Sequence, residues 1–182
     1  MRSLISVLML VAAAGLAAAT EDVKDIQYRL AAATSMRDER DLGLAMVDLI
    51  DLACRGDPSA AALLGERYMS GAGEFGAAPG KAKVLLRGAA QAGISRAMPG
   101  LVLLLSRDGA TQPEIQEAAK WRRVGEALSP GTVEMAVASQ AFEIARNGRD
   151  VTDGYQAAAV WLQKLNLGMV NTEHASIDCR SW

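Results

Sequence analysis

The sequence predicts an all-α chain, an α–α superhelix (solenoid) of about four helix pairs, and three observations lead there. Apolar residues recur at helical spacing along most of the chain, as in Val23, Ile26, Leu30 and Ala33, which fall at i, i+3, i+7 and i+10 on one helix face. No segment alternates apolar and polar residues with the period of a strand. The third observation is an internal repeat. GDPSA (56–60), GISRA (93–97) and GTVEM (131–135) start similar segments 37 and 38 residues apart. Ala82-x-x-Leu85, Ala118-x-x-Trp121 and Ala158-x-x-Trp161 recur 36 and 40 apart, and Leu52-Ala53-x-x-Gly56 is echoed by Ala89-Ala90-x-x-Gly93. One period shared by three landmarks marks a helix-pair unit of about 37 residues.

Taken in order, residues 1–19 are expected to be a signal peptide. Arg2 is followed by an uncharged run from residue 4 to residue 16 and then by Ala17-Ala18-Ala19, the small-residue pattern of a cleavage site. The run is short for a bilayer span of about 20 residues, which argues against an uncleaved anchor. No cysteine sits at the cleavage point to carry a lipid. Export to a periplasm or secretion is therefore expected, with no stable membrane insertion after cleavage. The helical domain is assigned to residues 20–166 and a C-terminal tail to 167–182.

Within the domain, Leu42, Ala45, Met46, Leu49, Ile50 and Ala53 mark a second helix. Asp57-Pro58 and Ser129-Pro130 each set a capping side chain before a proline suited to a first helical turn. Thr111 with Glu114 three residues on reads as a capping box, and Asp153 with Gln156 has the same form. The chain carries a net charge of −2 and no basic run, so a nucleic-acid partner is not expected.

The stretch Ala60-x-x-x-Leu64-Gly65-x-x-Tyr68-x-x-Gly71-x-Gly73, followed by Lys81-Ala82 and Ala89-Ala90-x-x-Gly93, resembles the Sel-one-like repeat, a family of tetratricopeptide-type α-solenoids. The match is degenerate over 93–129, where Leu101 and Leu105 take the Leu and Tyr places. It is looser still over 131–166, where Ala136, Ile144, Asn147-Gly148, Ala158 and Trp161 remain. Residues 22–55 read as an N-terminal pair. The resemblance implies a scaffold or adaptor whose partner is another protein or peptide of the cell envelope. One branch of that family staples each helix pair with its own disulfide. Those cysteines are missing here, so that branch's activity is not carried over.

Four features could carry chemistry. Gly71, Gly73 and Gly76 fit G-x-G-x-x-G, but helical sequence precedes them where a dinucleotide loop needs a strand. They read as a turn, and no cofactor is expected. His174 is the only histidine. Together with Glu173, Asp178 and Cys179 it invites a metal or Cys–His reading, but no second histidine and no metal spacing support it. Glu66, Glu126, Glu134 and Glu143 could supply the acid of a glycan-cleaving enzyme on a helical solenoid, which is the alternative reading. None is singled out, Glu66 reads as solvated surface, and no catalytic residue is assigned. Cys54 and Cys179 are the only cysteines. An intrachain bridge, an intermolecular bridge and free thiols remain open, because Cys54 ends the first pair and Cys179 follows the last.

A groove lined by the first helix of each pair is expected to bind the partner. Small Gly65 is expected to let its paired helix approach closely. Arg67 is expected to edge the groove, and Arg96, one repeat on, to extend the lining. The plainer alternative is that both are solvated and pair with neighbours such as Glu66.

Overall fold

The computed structural model describes residues 22–71, 76–175, 177 and 179; the expected signal peptide lies outside them. Eight helices follow one another, with no strand among the described residues. They are α1 (Val23–Met36), α2 (Glu39–Cys54), α3 (Pro58–Ser70), α4 (Pro79–Gln91), α5 (Ala97–Leu105), α6 (Gln112–Leu128), α7 (Val133–Arg146) and α8 (Thr152–Asn166). The fold is an all-α helical repeat. Helices α1 and α2, α3 and α4, and α5 and α6 pack as hairpins, and each hairpin packs on the next.

The start signals account for most boundaries. Asp57 caps α3 by accepting the Ala60 N–H at 2.8 Å, with Pro58 in the first turn. Thr111 and Glu114 form the reciprocal capping box that opens α6. Helix α3 ends at Gly71, whose φ of 69° is left-handed and whose N–H reaches the Arg67 carbonyl. Glycine adopts that conformation without a Cβ clash. Gly71 is therefore a helix C-cap, and Gly73 lies outside the described residues. Two expected starts are displaced. Ser129 closes α6, and α7 begins only at Val133 after Gly131 takes a φ of 75°. Asp153 lies inside the first turn of α8, and Asp150 instead accepts the Thr152 N–H and hydroxyl.

The repeat register appears directly as burial. Ala82, Leu85, Ala118 and Ala158 are fully buried, and Trp121 and Trp161 are buried as well. The two indole rings meet edge to face with centroids 5.6 Å apart, an arrangement that places a positive ring edge on a negative face. Gly65 meets the expectation of close approach. A Cβ there would stand 2.7 Å from Leu86 Cγ and 3.2 Å from Leu85 Cβ of α4.

The fourth pair departs from the pattern. Helix α7 packs on α5 and α6, while α8 packs on α6. The register explains why these two helices do not close on each other. Where α3 offers Leu64 and Tyr68 to its hairpin partner, and α5 offers Leu101 and Leu105, α7 carries Ser139 and Glu143. The facing position on α4, Leu86, becomes Arg122 on α6. Arg122 donates to Glu126 at 3.0 Å and to the Tyr155 hydroxyl at 2.7 Å, and its guanidinium lies 5.0 Å from the Phe142 ring. Ser139 donates to the same Glu126. A polar seam filled by one arginine thus replaces an apolar one.

The register expected for α7 is also corrected. Ala136 and Ile144, which the sequence resemblance kept as signature positions, are exposed, and Met135, Ala138 and Phe142 face the core. Phe142 and Met135 bury far more apolar area than Ala136, which settles the helix's rotation.

Ion pairs tie the second helices of adjacent repeats. Lys83 donates to Glu114 at 2.6 Å, and Arg87 grips Glu117 through two contacts of 2.7 Å. The Lys83 hydrogen bond, with the backbone and hydroxyl of Thr111, holds the Glu114 carboxyl down to about 2, against 4.5 when unperturbed. A depressed folded-state value gives stability that is fully present above pH 4.5 and is lost as pH falls through about 2. Acid titration of the melting temperature is therefore expected to show a decline across that window, and Glu114→Gln is expected to flatten it. An unchanged decline in the variant would count against this pairing.

Candidate functional groove

Superhelical stacking brings the first helix of every pair to one side, where they frame a groove of about 780 Å³. Gln27 of α1 stands at one end. Glu66 and Met69 form the α3 wall, Pro99 and Leu103 the α5 floor, and Val133, Met135 and Val137 the α7 wall. Gly100 makes the floor deep, because a Cβ there would meet Leu86 Cδ1 at 3.0 Å and Met69 Sδ at 3.4 Å. The surface is thus largely apolar, with methionine side chains that adapt to irregular shapes.

Its main polar feature is the pair of Arg96 with Glu66. The guanidinium donates to both carboxylate oxygens, at 2.7 and 2.6 Å, and bonding to Glu66 raises the arginine's pKa. Such a planar two-point contact holds both side chains in fixed orientation at the groove wall. Arg96 therefore lines the groove, as the sequence led us to expect, while also making the neighbour pair of the plainer alternative. Arg67 does not line it. On α3 the wall positions are Glu66 and Met69, three residues apart, and Arg67 is turned about 100° from Glu66. Glu66 is consequently a wall residue held by an arginine and not the solvated surface acid anticipated.

The other candidates are dispersed. Glu126 and Glu143 belong to the Arg122 seam, and Glu134 stands at the groove rim. Among the described residues no group of three or more histidine, cysteine, aspartate or glutamate side chains could hold a metal, and Asp178 lies outside them. His174 does have a structural place. Its ring lies against Gly56, where any Cβ would collide with it, and the next residue, Ala175, donates its N–H to the Gly56 carbonyl at 2.7 Å. Ala175 is buried. The tail therefore runs back from α8 past Gly93, which lies against Thr172, to the end of α2. There Cys179 is bonded to Cys54, with Cα atoms 5.7 Å apart.

The Glu66–Arg96 pair was open to sequence reasoning only as the plainer alternative, from an opposite charge 30 residues away. Sequence reasoning missed Arg122, whose signal was a charge in a register slot held elsewhere by leucine. No helix among the described residues is long and apolar enough to cross a membrane. No family model matches the chain, and no curated protein or solved structure matches it. Fold and groove together define the class: an all-α helical-repeat protein with an apolar groove along the first helices of its pairs.

Proposed function

We propose that this is an exported protein of the Sel-one-like repeat type that acts as a scaffold or adaptor in the cell envelope, holding a peptide or protein segment in its groove. The observation that carries the reading is the groove itself. It is an elongated apolar surface drawn from four successive repeats, with a fixed ion pair on one wall. Apolar anchors ringed by polar groups are the usual means of peptide recognition by helical grooves. The disulfide supports export, since such bonds persist in oxidising compartments. The position of Glu66 weighs against the glycan-cleaving alternative, because the guanidinium of Arg96 engages both of its oxygens, where a general acid must offer a proton to substrate.

The test is capture of a partner from envelope extract by the oxidised protein, identified by mass spectrometry and repeated with purified partner. Arg96→Ala is expected to weaken capture about tenfold, equivalent to about 1.4 kcal/mol. Stability should change by less than about 1 kcal/mol, as for other exposed ion pairs. Equal capture by the wild type and the variant would remove the groove wall from the binding surface.

A further inference from the structure

We propose that the tail, bonded through Cys179 to Cys54, is a redox-operated strap that locks the first helix pair in place and with it one end of the groove. The first pair is the one the array holds least. The third pair meets the second through α5 on both α3 and α4, and the fourth meets the third through α7 on α5 and α6 and α8 on α6. The first pair docks on the second through α2 against α3, its one substantial helix contact with the rest among the described residues. Yet α1 supplies Gln27 to the groove, so the position of this pair sets where the groove ends.

The tail adds a second hold. Beyond α8 it crosses two turns between hairpins at equivalent glycines of the repeat, Gly93 and Gly56. Each lacks the Cβ that would press on the Thr172 side chain or the His174 ring. The tail then bonds to the last residue of α2. Glu173 and His174 also face Asp22 and Val23, at the start of α1, across a cleft of about 530 Å³. No tail residue lines the groove, so the strap acts on the spacing of the pairs and does not block the site.

The disulfide decides whether this hold exists. Apart from it, the tail is kept by the Ala175 N–H on the Gly56 carbonyl, by buried Ala175 and by partly buried Val170 and Ile177. That is little against the entropy of ordering a segment with no helix or strand of its own. Neither cysteine is fully buried, so an external thiolate has access to the bond. The reagent class is a protein dithiol. Its thiolate attacks one sulfur to form a mixed disulfide, and its second thiol then displaces the bound cysteine. The bridge takes up two electrons and two protons to become two thiols, while the dithiol is oxidised to a disulfide. The freed tail leaves the first pair held by α2 on α3 alone.

Spin labels test this without using the cysteines. Ketone-bearing p-acetylphenylalanine replaces Tyr28 of α1 and Ile144 of α7, both exposed. A control protein carries it at Val84 of α4 and Val160 of α8, a span that leaves out the first pair. Dipolar electron resonance on the oxidised proteins is expected to give narrow distance distributions for both spans. Reduction by dithiothreitol followed by alkylation is expected to broaden the 28–144 distribution about twofold or more, because each repeat then touches only its neighbours. The control span is expected to stay unchanged, and Cys54→Ser with Cys179→Ser should reproduce both results. An unchanged 28–144 distribution, or equal broadening of both spans, would overturn the lock. Its effect on binding rests on the groove reading. If the released pair occupies its bound position about a tenth of the time, capture by reduced protein falls about tenfold. Equal capture in both redox states would overturn control of the groove. The distances need no partner, so failure of the strap and failure of the groove reading register in separate measurements.

Discussion

Replacing Cys54 and Cys179 together by serine is expected to lower the melting temperature by about 10 °C or more. The bridge joins residues 125 apart and so closes a loop that holds the last three of the four pairs. Cross-linking a loop of that size removes unfolded-chain entropy worth about 4–5 kcal/mol, and measured values for native bridges are mostly about 2–5 kcal/mol. For a chain of this length, each kcal/mol shifts the midpoint by about 2–4 °C. A solenoid is unusually sensitive to such a bond, because each repeat otherwise touches only its neighbours and the ends can fray separately. Here the bond returns the tail to the first pair, reinforced by the Ala175–Gly56 hydrogen bond and the His174 ring on Gly56. Calorimetry of oxidised, reduced and double-serine protein would measure the effect. The serine variant should also expose residues 167–175 to protease before the helices are cut. Coincident melting of all three forms would show that the tail adds nothing to the folded state.

Gly65→Leu is expected to cost about 1–3 kcal/mol, the range for forcing extra methylenes into a packed core. The first added carbon already falls 2.7 Å from Leu86 Cγ and 2.9 Å from its Cδ2, inside any van der Waals contact. Leu86 is itself fully buried, so it cannot swing away without displacing its neighbours. Gly80→Ala supplies the control. It stands in the first turn of α4 with nothing within 4 Å of a Cβ, and alanine there should be neutral or stabilising by up to about 1 kcal/mol. Urea unfolding of both variants would read the contrast. Equal midpoints would mean that α3 and α4 are not held as close as the structure places them.

The fold class, the eight helices and the register of the first three pairs were legible in the sequence, because an inner repeat buries its apolar stripe in only one way. Leu64, Gly65 and Tyr68 on α3, and Ala82 with Leu85 on α4, are all buried at the positions that the repeat spacing marks. The fourth pair was misread for the opposite reason. Its first helix carries two apolar stripes, and period alone cannot say which one meets the core. The sequence also left the cysteines open, since a tail without periodicity reveals no path. Only the stacked repeats bring the end of α2 within reach of residue 179. The groove wall depends on the tertiary structure in the same way. Glu66 and Arg96 lie on different helices, and their contact exists only because superhelical packing sets α3 beside α5. Local chemistry, in caps, turns and helical periods, is written residue by residue and can be read so. Pairings between elements depend on the rotation and spacing of whole helices, which are decided only when all the cores are filled together.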